Sequence, residues 1–204
     1  MIILNLKKQY STECGRIKMK LEEHLGGHNG LTHIDEGAIN WFKTLGHKTF
    51  LDIGCGPGGM VELAEQKGLY ALGIDGDYTL ERYNPNNFIL HDFTKGPAPL
   101  DQKFDIGWSV EFVEHVYEKY IPNYVQAMQQ CKNLVMTHAL VGQTGYHHVN
   151  CQDPPYWINT MKKYGFRLDN NLTATLRKIT TLGKKKKHRF VAKTGMYFVN
   201  ENFK

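Results

Sequence analysis

With 204 residues, 41% of them hydrophobic, the chain has the size and apolar content of one domain with a buried core. Its formal net charge of +5 is mostly local, since Lys184, Lys185, Lys186, Lys187 and Arg189 account for much of it, which excludes a uniformly basic protein. No stretch is long and apolar enough to span a bilayer, no signal peptide is visible, and the four scattered cysteines, with no C-x-x-C pair, suit a reducing cytoplasm.

Residues 1–30 show little periodicity, and Gly26, Gly27 and Gly30 make them read as an N-terminal extension or lid segment ahead of a domain at 31–204. Residues 31–45 read as a helix with Ala38, Ile39, Phe42 and Leu45 on one face and Gly46 as its stop. Thr32 or Asp35 can cap that helix. Residues 49–53 are an apolar run that reads as a buried strand. Four glycines follow within six residues, then an amphipathic helix with Met60, Leu63 and Ala64 on one face, closed by Lys67 and Gly68. Strand, glycine turn and helix open a doubly wound α/β sheet, and the glycines let the backbone pass close under a ligand at the strand's carboxyl end.

Gly54, Gly56 and Gly59 also satisfy G-x-G-x-x-G, which alone suits a nicotinamide cofactor. Asp52 argues against it. A carboxylate at the last inward position of the strand repels a pyrophosphate and attracts a cationic, amino-acid-bearing cofactor, and no lysine stands where a P-loop needs one. Leu51-Asp52-Ile53-Gly54-Cys55-Gly56-Pro57-Gly58 resembles the first motif of the class I S-adenosylmethionine-dependent methyltransferases. The resemblance covers roughly residues 31–200, and in the family the region at 31–45 often lids the cofactor, which implies that Thr32, His33 and Asp35 face the site. It implies a mostly parallel seven-stranded sheet with an antiparallel last strand, S-adenosyl-L-methionine as cofactor, and cofactor contacts at Asp52, Gly54, Cys55, Gly56 and Gly58.

Residues 70–75 are a second short strand ending in an acid. By resemblance Asp75 takes the ribose hydroxyls, with Gly76 beside it and Asp77 as a second candidate that otherwise shapes the turn. Residues 88–91 form the next strand and deliver Asp92 and Phe93 to the same edge; in similar enzymes the acid takes the adenine amino group and its neighbour packs on the ring. His91 reads as structural. Residues 104–110 are the fourth strand, and Glu111-Phe112-Val113-Glu114-His115-Val116 resembles the family's hydrophobic-Glu-His segment. That implies Ser109, Val110 and Glu111 beside the methionine moiety and the methyl group. His115 either faces the site or holds the loop.

Pro122 suits the first turn of a helix whose Ile121, Val125 and Met128 face the sheet, and residues 134–140 read as the fifth strand. The loop at 141–150 is polar, bears glycines and leaves the sheet's carboxyl edge, where such folds carry their chemistry. Its His147 and His148 are candidates for the base or acceptor-orienting group, since histidine titrates near working pH. His148 is favoured, and Glu111 and His115 stand behind the pair. Trp157, Met161 and Tyr164 form a helical stripe that Gly165 ends; 173–182 reads as a helix, 191–199 as a closing strand, and 170–171 and 183–187 as turns or loops.

Asp153-Pro154-Pro155-Tyr156 matches the catalytic signature of methyltransferases acting on the adenine amino group in DNA. In those enzymes it leaves the fourth strand; here it follows the fifth, and it reads as an N-cap with prolines in the first helical turn. His138, His147, His148 and Cys151 match no standard metal spacing, and no metal is expected. With no large appended domain, the expected acceptor is a small molecule methylated at oxygen or nitrogen. Two alternatives stand beside it: a nucleic acid engaged through the tetrapeptide and the lysine run, and a non-catalytic cofactor-binding partner subunit.

Overall fold

In the computed structural model, which describes residues 21–182 and 189–204, the strand Thr49–Ile53 (β1) lies near the middle of a seven-stranded sheet. The other strands are β2 (Tyr70–Asp75), β3 (Phe88–Leu90), β4 (Phe104–Ser109), β5 (Cys131–Met136), β6 (Phe166–Leu168) and β7 (Met196–Asn200). Their order is β3-β2-β1-β4-β5-β7-β6, with β1 to β5 parallel and β7 antiparallel to both β5 and β6. The doubly wound sheet and antiparallel last strand expected from the sequence are both present.

Among the described residues six α-helices cover the sheet: α1 (Glu36–Thr44), α2 (Gly59–Gln66), α3 (Ile121–Met128), α4 (Pro154–Lys163), α5 (Asn170–Ile179) and α6 (Phe190–Thr194). Side chains of β1 alternate between faces. Phe50 packs with Phe42, Val61, Leu176 and Val191 of α1, α2, α5 and α6, while Leu51 and Ile53 pack with Tyr124, Met128, Trp157 and Met161 of α3 and α4. Burial on both faces is why the parallel strands read as unbroken apolar runs. Cys55, Cys131 and Cys151 are free thiols, and among the described residues no helix is long and apolar enough to cross a membrane.

Several boundaries differ from the sequence reading, each for a local reason. The first helix begins at Glu36, not residue 31, because Asp35 is its N-cap and accepts from the Ala38 amide at 3.0 Å. Leu45 falls beyond the last turn and is exposed. β5 occupies 131–136 instead of 134–140: Phe104 pairs with Cys131, and the chain leaves the sheet at Thr137. Asn170 and Asn171 are not a turn but the first residues of α5, since the Asp169 carboxylate accepts from the Asn171 and Leu172 amides, both at 3.0 Å. The expected closing strand at 191–199 is divided, its first part forming α6 before Gly195 and only its second part pairing as β7. β6, three residues long, has no sequence expectation behind it. The lysine run at 184–187 lies outside the described residues.

Candidate active site

At the carboxyl end of β1 the sheet order turns outward to β2 on one side and β4 on the other, the switch point where open α/β sheets bind ligands. The glycine turn there is required by conformation and by crowding. Gly54 has φ +78°, and a Cβ on it would lie 2.2 Å from the Phe112 ring. Gly58, the N-cap of α2 at φ +86°, would bring a Cβ within 2.3 Å of the Phe88 ring.

Two adjoining cavities open beside this turn. One, of about 650 Å³, is bounded by Leu25, Asp75, Gly76, Asp92, Phe93 and His115. The other, of about 440 Å³, is bounded by Thr32, His33, Asp52, Cys55, Gly56 and Val110. Gly27, His28, Gly54 and Glu111 line both. Asp52 is 3% exposed, and burial, then the neighbouring Asp75 charge, pushes its carboxyl well above the usual range. Among the described residues no donor reaches that carboxyl, so the cavity wall carries a buried acid open to a cationic or hydrogen-bonding ligand group.

Asp75 braces the turn. Its two oxygens accept from the Gly56 and Asp77 amides, each at 2.8 Å, and Arg82 pairs with it at 3.4 Å. A carboxylate has about four acceptor sites, so capacity remains on the cavity side. Burial acts to raise the Asp92 carboxyl, but the Thr94 amide and hydroxyl and the His24 ring outweigh it and hold the group below its usual range. Phe93 lines the first cavity while its ring packs edge-on against Phe112, Tyr124 and His91.

The stretch 21–33 crosses the cleft. His24 Nε2 meets Asp92 Oδ2 at 3.2 Å, and the Gly59 amide donates to Thr32 Oγ1 at 3.2 Å. His28 Nδ1 accepts from the Gly30 amide at 2.8 Å, which leaves Nε2 as the donor to Asp77 Oδ2 at 3.0 Å. Asp77 also accepts from Thr79 and lines neither cavity; it holds the turn and the crossing segment together. Asp35 likewise faces away, buried against Thr180 and Thr181.

After β4 the backbone is strained at Glu111, whose φ is +56°. Thr137 fixes it: the Glu111 amide donates to Thr137 Oγ1 at 2.8 Å, and that hydroxyl donates to Glu111 Oε1 at 3.1 Å. Burial pushes the Glu111 carboxyl up to about 7 despite the Thr137 hydrogen bond. Glu114 and His115 follow in a short 3-10 turn. Glu114 is fully buried, and beyond the neighbouring Glu111 carboxyl neither of its oxygens has a partner; burial, then the Glu111 charge, pushes it well above the usual range. Burial also lowers His115 to about 4, and its ring stands 5.1 Å from that of His148.

The adjacent histidines of the 141–150 loop have different neighbours. His147, with φ +48°, packs against Tyr117 and His24, whereas His148 meets His115. His138 sits apart in the interior, 6.5 Å from the Trp157 ring. Ser109 is fully buried and, like Gly58, lines neither cavity. Asp153 occupies the N-cap position of α4 with prolines in its first turn, although its carboxyl caps no amide, and Tyr156 donates to Glu118 at 2.8 Å. The tetrapeptide lines neither cavity. Sequence reasoning missed Leu25, His28, Phe112 and Glu114; the last two lie in the segment it singled out, but nothing in their spacing indicated burial at the turn.

Residues 51–140 match the family described as a methyltransferase domain. No curated protein matches the chain. Among solved structures, a TehB-like SAM-dependent methyltransferase from Corynebacterium glutamicum is similar at 16% identity over 80% of this chain and 87% of that one, with TM-score 0.56. StiE O-MT, at 15% identity, covers 83% and 74% with TM-score 0.53. Magnesium protoporphyrin IX methyltransferase from Synechocystis PCC 6803, with bound SAM, covers 66% and 68% at 16% identity and TM-score 0.50. At these identities the likeness establishes the fold.

Proposed function

We propose that the chain, a class I S-adenosylmethionine-dependent methyltransferase, moves the methyl group to an oxygen or nitrogen of a small acceptor. The position of Glu111 carries this reading: it lines both cavities that would hold the cofactor, in the segment after β4, and so offers a proton acceptor beside the place where the methyl group would lie. When bound, S-adenosylmethionine supplies a methyl group on a sulfonium, a good leaving group. The protein's task is therefore alignment, exclusion of water and removal of the acceptor proton.

Asp52 would accept the ammonium of the amino-acid end, which supplies the cation that its buried carboxyl lacks. Asp75 would accept the ribose hydroxyls, with Gly76 beside it, and Asp92 the adenine amino group, with Phe93 at the ring edge. Gly54, Cys55, Gly56 and Val110 would border the methionine moiety, while Gly58, Asp77 and Ser109 support it from behind. Residues 21–33 act as the lid. The segment that crosses the cleft favours a small acceptor over a polymer, in keeping with a neighbour named for magnesium protoporphyrin IX. The test is release of S-adenosylhomocysteine against a panel of small hydroxyl and amine acceptors and of DNA and RNA oligonucleotides. Turnover with small acceptors is expected, and turnover with oligonucleotides alone would overturn the acceptor class.

A further inference from the structure

Three side chains from two loops converge behind Glu111. Glu114 and His115 lie in the turn after β4, and His148 lies in the loop after β5. One ligand atom from each lies within 4.8 Å of the others. Three ligand atoms about 2.0–2.2 Å from one cation in tetrahedral geometry lie about 3.3–3.6 Å apart, so the side chains must close by at most about 1–1.5 Å to hold it.

Two observations set this cluster apart from a chance grouping. Glu114 is 0% exposed, yet apart from the Glu111 carboxyl beside it neither of its oxygens has a partner, and the buried Nδ1 of His115 has none either. Orphaned buried acceptors of this kind are costly and call for a missing occupant. Glu111 lies beside Glu114, and among the described residues no lysine or arginine pairs with either acid. The surroundings also orient the ligands: His148 Nδ1 meets the Gln143 carbonyl at 3.2 Å, and backbone groups at Tyr146 and His147 lie against the His115 ring.

We propose that Glu114, His115 and His148 hold a divalent first-row transition-metal cation, with open coordination positions toward the cleft beside Glu111. One carboxylate and two imidazoles suit manganese, iron, cobalt or zinc, whereas magnesium and calcium prefer all-oxygen sets. The sequence expectation of no metal rested on His138, His147, His148 and Cys151. The structure assembles a different set, drawn from two separate loops, which no local spacing reveals. His148 then serves as a ligand, not as the base. Since His115 and Glu111 line the cleft, the cation would draw an acceptor hydroxyl next to Glu111. That use rests on the methyl-transfer reading; cation binding itself does not.

The test uses the full chain without an affinity tag, stripped by chelator and titrated with Co²⁺ in the absence of cofactor. Calorimetry and the visible d–d absorption of Co²⁺ provide the readouts. One Co²⁺ per chain is expected, with affinity at least about tenfold weaker in His148→Ala and Glu114→Gln and unchanged in the distant His47→Ala. His148 is only half-buried, so its variant keeps the test valid if Glu114→Gln does not fold, as circular dichroism would show. Absence of stoichiometric Co²⁺ binding, or wild-type binding by His148→Ala, overturns the site. S-adenosylhomocysteine binding by the same metal-free chain separates that failure from a failure of the methyl-transfer reading.

Discussion

Replacing Asp75 removes the brace of the glycine turn and the proposed ribose contact in one step. In the folded chain its oxygens accept two backbone amides at 2.8 Å and one guanidinium at 3.4 Å. Hydrogen bonds to a charged group contribute about 1.5–3 kcal/mol. Losing the ribose contact alone should therefore weaken S-adenosylhomocysteine binding by roughly 10- to 100-fold at about 1.4 kcal/mol per decade. Asp75→Ala also leaves the Gly56 and Asp77 amides and Arg82 without their acceptor, so its loss should fall at the upper end. Asp75→Asn keeps one acceptor oxygen and should lose less. Calorimetric titration with S-adenosylhomocysteine measures both, and thermal unfolding checks that the fold persists. Unchanged affinity in Asp75→Ala, with the fold intact, would refute the assignment of this acid to the cofactor.

His28→Ala removes the hydrogen bond from the crossing segment to Asp77, and S-adenosylhomocysteine should then dissociate several-fold faster in stopped flow while the unfolding temperature hardly moves; an unchanged rate would deny these residues a covering role. Burial acts to raise the Asp105 carboxyl, but the Lys48 and Thr49 amides and the Thr49 hydroxyl prevail and hold it below its usual range. Its stabilisation is thus present above the unfolded value and lost as pH falls below about 4, so Asp105→Asn should be less stable at neutral pH and lose less stability on acidification. Exchange of all four lysines at 184–187 for glutamine should leave cofactor affinity unchanged, and loss of a steep, salt-dependent nucleic-acid affinity in that variant would favour the polymer acceptor.

The central strands were legible because burial on both faces writes them as apolar runs bounded by turn residues. The run at 49–53 and its glycines fixed the location of the switch point, and Gly46, Gly68 and Gly165 marked helix ends through left-handed conformations. The C-terminal third was read less well. β6 is three residues long, too short for alternation to show, and it exists only because β7 offers an edge. In Val191 to Val199 the strand-forming run is confined to residues 197–199, while Ala192 and Lys193 favour a helix, and the first half packs as α6 against α5 before Gly195. Asp169 turned an apparent Asn-Asn turn into a helix start, a capping effect that requires knowing which carboxylate is free to accept.

The site divides along the same physical line. Residues placed by one turn and its strand ends, Gly54, Gly56, Asp75 and Asp92, are written locally, and each of them lines one or both cavities. Contacts that depend on two distant segments are not written locally. His28 reaches Asp77 across 49 positions, and Phe112 fills the space that Gly54 leaves open because the backbone bends at Glu111. Glu114 shows the difference most sharply. It belongs to the hydrophobic-Glu-His segment, but the sequence reading gives roles there only to Glu111 and His115. Only the fold reveals that Val149 and Asn150 close over it, their amides bound to its backbone carbonyl at 2.9 and 3.1 Å, while its carboxylate is left with no partner beyond the Glu111 carboxyl. A buried acid in that state is costly to keep, and the loop that seals it also brings His148 to its side.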